Sequence, residues 1–145
     1  MKCLLQRVLQ ASVAVEECVV GEIQRGLLVF VGVEPGDTHE AALRMAKRLL
    51  SYRIFSDEAG KMNLNVQQAG GAILLVSQFT LAADTTTGNR PSFSTAAPAE
   101  QASRLCAELA QALAMENIRV ETGQFGADMQ VALINDGPVT FLLSL

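Results

Sequence analysis

The chain has 145 residues, which is enough for one hydrophobic core and too few for two, so a single domain spanning residues 1–145 is expected. Its 15 acidic and 11 basic residues give a net charge of −4, and this balance excludes a broadly basic surface that coats nucleic acid. Half of the residues are hydrophobic and only 18% are charged, whereas about 25% are charged in an ordinary soluble domain. Two interpretations stay open: a compact alanine-rich monomer, or a chain that covers part of its apolar surface with a second copy.

The N-terminal segment and the cysteines indicate the cellular context. Polar Gln6 and Arg7 come before any apolar run long enough for a signal peptide, and no stretch reaches the roughly 18 apolar residues of a membrane helix. We therefore expect a cytoplasmic protein without a membrane partner. The three cysteines form no Cys-x-x-Cys pair, and His39 is the single histidine, so neither a disulfide framework nor a metal site is predicted.

The first 33 residues predict a β-meander. The predicted strands span residues 3–9, 12–16, 19–23 and 27–33. The last of these is apolar on both faces, which is typical of a central strand. Pro35 and Gly36 end it, and Asp37 with Glu40 predicts a capping box for the helix that follows. Five residues of this helix are predicted to face the core: Ala42, Leu43, Ala46, Leu49 and Leu50.

The middle of the chain predicts a hairpin, a second central strand and a long loop. The hairpin joins residues 52–55 to 62–66, and the apolar run 72–81 is the second candidate for a central strand. The loop at 82–97 is longer than most loops of a compact domain, and such loops are often functional.

The last third of the chain predicts a helix and three strands. The helix starts at Pro98 and is predicted to face inward with Ala102, Leu105, Cys106, Leu109, Ala112 and Leu113. The strands span residues 118–122, 128–134 and 139–145, and residues 135–138 separate the last two. The simplest interpretation of this separating segment is a hairpin turn with a trans proline, since only about 5–6% of X–Pro bonds are cis.

Common catalytic arrangements are not found. His39 lies in a polar stretch that is typical of an exposed surface segment. Ser77 and Thr80 have no obvious histidine partner in the sequence. Three polar clusters are candidates for function, although spacing alone favours an ordinary structural role for each. In the first, burying the polar groups without partners would cost about 1–3 kcal/mol each. The three clusters span residues 77–81, 88–93 and 135–140, and the second contains Arg90, which suits a phosphate or a carboxylate.

Six ordered motifs together resemble the D-aminoacyl-tRNA deacylase family, and the resemblance covers the whole chain. The motifs are residues 5–8 with 11–13, 52–57, 60–65, 77–81, 90–93 and 135–140. The resemblance implies an α/β (α+β) fold: a barrel-like core of mixed and antiparallel strands with two main helices. It also implies a homodimer with its active site at the interface, without a metal or a cofactor.

The activity implied by the resemblance is hydrolysis of the ester that links a D-amino acid to the 3′ end of tRNA. Glycyl-tRNA(Ala) is a second expected substrate, because glycine has no chirality. The tRNA acceptor end is then the expected partner, and no DNA contact is expected. The alternative is a non-enzymatic dimeric module that binds nucleotide ends in the same groove.

The resemblance also assigns site residues. Ser77, Gln78 and Thr80 would form the catalytic wall, with Phe79 near the terminal adenosine and Met129 among the substrate-binding residues. Catalysis is expected to use the ribose 2′-hydroxyl of the tRNA, whereas a competing proposal makes Thr80 the nucleophile. The first is favoured because nothing in the sequence would deprotonate a threonine.

The 135–140 motif would select the chirality of the substrate. Gly137 and Pro138 would form a Gly-cisPro motif that reaches from one subunit into the active site of the other and excludes an L side chain. Arg7 is expected to fix the orientation of this motif.

Overall fold

A single long strand organises the sheet in the computed structural model, which describes residues 1–145. This strand, β1 (Lys2–Val15), pairs on one edge with β3 (Gly26–Gly32) and then with β2 (Cys18–Ile23), both antiparallel. Its other edge pairs antiparallel with β8 (Gln130–Ser144), the last strand of the chain. The two ends of the sequence therefore lie side by side in the middle of the fold.

The rest of the sheet is parallel and is added to β3. Strand β6 (Ala72–Ser77) pairs with β3, and β7 (Val120–Thr122) pairs with β6. Strand β2 curls back toward β7. The two strands approach so closely that a Cβ added to Gly21 would lie only 2.6 Å from the carbonyl oxygen of Thr122. The result is a mixed, nearly closed barrel-like sheet, which confirms the expected fold class.

Two helices cover one face of this sheet. They are α1 (His39–Ser51) and α2 (Ala99–Ala114), which pack on each other and bury their apolar sides in the main core. Strands β3 and β6 contribute to the core on both faces: Leu27 points to the helices, whereas Leu28 lies in a smaller core inside the curled sheet. The prediction of two central strands is therefore confirmed. Neither helix is long and apolar enough to cross a membrane.

The predicted hairpin is present as a small separate sheet. It consists of β4 (Phe55–Ser56) and β5 (Met62–Leu64), which are antiparallel. Its link to the barrel is the segment around Ile54, whose side chain is buried in the main core.

Some predicted boundaries were wrong. The two strands predicted at 3–9 and 12–16 are one strand, β1, which ends at Val15. It continues through the expected break because β8 pairs along one edge and β3 and β2 pair in turn along the other. Helix α1 is capped by Thr38, whose Oγ1 accepts from the Ala41 amide at 3.3 Å, and not by Asp37. Leu43 is exposed, and Met45 takes the predicted inward position.

The predicted hairpin between residues 128–134 and 139–145 does not exist. Both segments belong to β8 and both pair with β1. Between the paired residues Asn135 and Thr140, residues 136–139 leave the ladder and form an irregular step, so the polar cluster at 135–140 is an interruption of one long strand.

Candidate active site

A cavity of about 510 Å³ opens where β6 leaves the sheet. The carboxyl end of a parallel strand is a common place for ligands in α/β proteins. Most of the cavity wall is hydrophobic. The lining residues are Val76, Ser77, Gln78, Phe79, Ala97, Ala99, Ala102, Phe125, Gly126, Ala127, Met129 and Val131.

The polar wall of the cavity is formed where β6 ends. Gln78 continues the ladder for one more bond, since its amide donates to the Val31 carbonyl at 2.7 Å. The Leu81 amide then donates back to the Gln78 carbonyl at 3.1 Å, and the chain turns through a 3-10 helix at Phe79–Ala82 that buries Ala82. The strand predicted to residue 81 therefore stops at Ser77, and the polar residues stand at the cavity instead of inside the sheet.

Thr80 lies beside the cavity wall and does not line it. Its Oγ1 accepts a hydrogen bond of 2.5 Å from Nε2 of Gln78, and no carboxylate or imidazole contacts it. A threonine hydroxyl needs an adjacent base to become a nucleophile. This environment fixes the Thr80 side chain and provides no base.

Aromatic rings form the open rim of the cavity. The side chain of Phe79 is 57% exposed, and its ring centroid lies 5.0 Å from that of Phe93. Phe93 comes from the long loop, where a β-bridge joins Asp84 to Ser92. Phe125 adds a third partly exposed ring to the lining of the cavity. Exposed aromatic faces of this kind stack on nucleobases.

The N-terminus of α2 closes another side of the cavity. Ala99 and Ala102, from the first turn of this helix, line the wall, and their small side chains leave space for a ligand. The cap residue Pro98 provides no side-chain hydrogen bond to the first amides. The positive end of the helix dipole therefore faces a cavity that would favour an oxygen-rich or negatively charged group.

Met129 reaches the cavity from the segment just before β8. It packs on Gly123, where an added Cβ would lie only 2.7 Å from the Met129 sulfur. This close contact seats the thioether against the cavity wall, and a side chain at Gly123 would push the flexible Met129 side chain aside.

Ionisable side chains do not line the cavity. His39 is exposed and pairs with Glu108 at 3.0 Å, and this hydrogen bond lowers the pKa of Glu108. Burial raises the pKa of the Cys106 thiol to about 11 and that of Cys3 to about 12, so neither forms a nucleophilic thiolate near neutral pH. No group of three or more metal-binding side chains is clustered anywhere in the structure.

The 135–140 segment is held by a buried arginine. Arg7 donates through Nη1 to the Ile54 carbonyl at 2.8 Å and through Nε to the Asp136 carbonyl at 3.1 Å. Its Nε also lies 3.2 Å from the Asp136 carboxylate. Arg7 therefore ties the hairpin segment to the irregular step in β8.

The Gly137–Pro138 peptide bond is cis, so the interpretation as a trans proline in a hairpin was wrong. Gly137 has a φ of +134°, and an added Cβ would lie 2.6 Å from Cγ2 of Val139 and 3.2 Å from Nη2 of Arg7. Only glycine fits this position without strain.

The structure brings only some of the predicted site residues together. Four of them share the cavity wall: Ser77, Gln78, Phe79 and Met129. Neither Arg7 nor the Gly137–Pro138 step lines the cavity of its own chain. Sequence reasoning missed Phe125 and the first turn of α2, since isolated apolar residues give no indication of which cavity they line.

Comparison with known proteins gives one consistent family. A family model described as D-Tyr-tRNA(Tyr) deacylase matches residues 4–144. A protein of Xanthomonas campestris pv. campestris is 61% identical over 99% of both chains, and one of Saccharophagus degradans is 55% identical over 100% of both. Both are named D-aminoacyl-tRNA deacylase.

The fold is also found among solved structures. A c-Myc DNA unwinding element binding protein superposes with a TM-score of 0.94 at 39% identity, covering 100% of this chain and 99% of that one. The family model and the full-length relatives cover nearly the whole chain, and this superposition covers the whole fold. The chain belongs to the D-Tyr-tRNA(Tyr) deacylase family.

Proposed function

We propose that this chain hydrolyses the ester of D-aminoacyl-tRNA, releasing the D-amino acid and free tRNA. The observation that carries the proposal is the family match over residues 4–144, together with relatives of the same length that bear this activity in their names. The cavity suits such a substrate, because aromatic rings and a helix N-terminus surround a space with polar groups on one wall.

The chemistry is proposed to depend on position and on the substrate's own hydroxyl. Water attacks the ester carbonyl, the bond to the ribose 3′ oxygen breaks, and the leaving oxygen takes up a proton, with the adjacent 2′-hydroxyl assisting the transfer. Two features support this mechanism: the cavity is lined by no ionisable side chain, and Thr80 lacks a base. The protein then contributes orientation and hydrogen-bonding groups where the chain turns after Ser77, although the Gln78 amide itself is occupied by the Val31 carbonyl.

The terminal adenosine is proposed to stack on the aromatic rim at Phe79. The exposed ring is available for a base, and the uncapped start of α2 is available for oxygens of the substrate. Arg90 is exposed in the long loop and pairs with no carboxylate, so it is free to meet a phosphate. With a net charge of −4, the contact with tRNA is limited to the acceptor end and weakens with salt.

A second copy of the chain is proposed to complete the site. The outer edge of β8 has no strand partner, and it carries the exposed apolar side chains Ile134 and Leu142. A long apolar edge of this kind is normally covered. Because the Gly137–Pro138 step does not line its own chain's cavity, we assign it to the cavity of the second copy.

Chiral selection then follows from exclusion. Gly137 and Pro138 present backbone with no side chain that moves aside, and this wall occupies the space that an L side chain requires. Many D side chains point away from the wall, and glycine has none to exclude. Glycyl-tRNA(Ala) is therefore a second proposed substrate, and the proposed place of action is the cytoplasm, where charged tRNA is used.

The test is release of tyrosine from D-Tyr-tRNA, with L-Tyr-tRNA as the matched control, in the presence and absence of a chelator. We expect release from the D ester only, unchanged by the chelator. Binding of the tRNA end without turnover would instead support a dimeric binding module. Loss of activity with the chelator would contradict catalysis without a metal.

A further inference from the structure

We propose that Asn135 is a positioning residue for chiral selection, which holds the backbone of the Gly137–Pro138 step through its side-chain amide. The inference rests on the proposed function, since it concerns the part of the chain assigned to rejecting the L substrate. It adds a second support to the one that Arg7 provides, on the opposite side of the step.

The step needs such a support because it has no partner in the sheet. On β1, Gln6 and Val8 are two residues apart. Their partners on β8, Thr140 and Asn135, are five residues apart. The residues between them make no ladder contact with β1. Backbone without ladder hydrogen bonds keeps one conformation only where side chains supply the missing contacts.

Arg7 supplies these contacts for the first half of the step. Its hydrogen bond ends on the Asp136 carbonyl, before Gly137. Nothing in that contact fixes the direction in which the chain leaves Pro138. An independent anchor is therefore needed on the C-terminal side.

The Asn135 side chain provides that anchor by spanning the step. Its Oδ1 accepts from the Val139 amide at 3.0 Å, and its Nδ2 donates to Oγ1 of Thr140 at 3.0 Å. One planar amide thus connects the residue before the step to the two residues after it. The Val139 side chain is buried in the main core, which ties the same end of the step to the rest of the fold.

The chain offers a matched control in Gln6. Its Nε2 donates to the same Thr140 oxygen at 3.0 Å, but it does not contact the Val139 amide. Removing Gln6 tests the loss of one hydrogen bond at Thr140, whereas removing Asn135 also releases the backbone of the step.

The experiment compares Asn135→Ala, Asn135→Asp and Gln6→Ala for hydrolysis of D-Tyr-tRNA and L-Tyr-tRNA. We expect Asn135→Ala to lower the ratio of D to L kcat/KM by about tenfold, in proportion to one lost hydrogen bond. Asn135→Asp restores the ratio, because a carboxylate still accepts from Val139 and from the Thr140 hydroxyl. Gln6→Ala keeps the wild-type ratio.

Exchange of the Val139 amide hydrogen, followed by NMR, tests the anchor without reference to activity. Protection should fall in Asn135→Ala and stay in Asn135→Asp and Gln6→Ala. An unchanged D to L ratio with a folded Asn135→Ala protein, or no rescue by aspartate, would overturn the inference. If the wild type itself shows no D-selective release, the proposed function fails. If the wild type is selective and Asn135→Ala has the same ratio of D to L kcat/KM, only the inference about Asn135 fails.

Discussion

At the scale of single residues, the cavity is lined by groups that can orient a ligand, and no ionisable side chain lines it. Thr80 and Ser77 carry the hydroxyls at the end of β6, and neither forms a hydrogen bond with a carboxylate or an imidazole. The nearest thiol is that of Cys106 in a smaller adjoining cavity, where burial raises its pKa to about 11. A mechanism that uses the substrate's hydroxyl agrees with this composition.

Thr80→Ala is therefore expected to remain active on D-Tyr-tRNA. Its hydroxyl holds one hydrogen bond with Gln78, and losing that bond should lower kcat by at most about tenfold. Single-turnover hydrolysis measures this, with Thr80→Ser as the matched control that keeps the hydroxyl. Complete loss of activity in a folded Thr80→Ala protein, with activity kept in Thr80→Ser, would favour Thr80 as the nucleophile.

At the scale of the elements, β8 links the core of one chain to the proposed site of the next. Its inner edge pairs with β1 on both sides of the 135–140 segment, whereas its outer edge is open and the strand carries the exposed Ile134 and Leu142. The 135–140 step lies in the same strand. Covering the open edge with a second copy would therefore bring the step into the partner's reach.

Leu142→Lys tests this role of β8. The side chain is 56% exposed, so the fold should survive, but a charge in an apolar interface should separate the copies. Sedimentation is expected to show a monomer, and hydrolysis of D-Tyr-tRNA should fall by at least about tenfold because the site is incomplete. Met115→Lys, at an exposed position after α2, is the control and should behave as the wild type. An active monomer would contradict the shared site.

The same elements show what the sequence predicts and what it does not. Strands β3 and β6 were predictable, because a strand buried on both faces has an unbroken apolar run. The course of β8 was not, since its pairing with β1 joins residues more than a hundred positions apart. Local turn residues at 135–138 favour a hairpin, and only the tertiary contacts of Arg7 and Asn135 give the segment another shape.

The cavity wall also combines residues that the sequence predicts with residues that it does not. The polar end of β6 and the long loop were predictable from residue types, and they contribute to the wall through Gln78 and Ala97, respectively. Phe125 and Ala99 were not, because they reach the cavity only through the packing of α2 and β7 against β6.

At the scale of the whole molecule, low charge and high apolar content have a common explanation. Only 18% of the residues are charged, and the open edge strand β8 carries exposed apolar side chains. The proposed dimer covers this edge and thereby assembles the site. The negative net charge agrees with the proposal that contact with tRNA is limited to its end. The central claim is thus that one cavity wall and one 135–140 step, from different chains, form each active site.

The most direct measurement of this claim is complementation between two inactive variants. Phe79→Asp damages the cavity wall, and Gly137→Val damages the step, where even a Cβ meets Val139 at 2.6 Å. Co-expressed with different tags and purified as a heterodimer, they should form one intact site and recover about half of the wild-type rate on D-Tyr-tRNA per dimer. A heterodimer as inactive as the two parent homodimers would show that each site lies within one chain and would contradict the account.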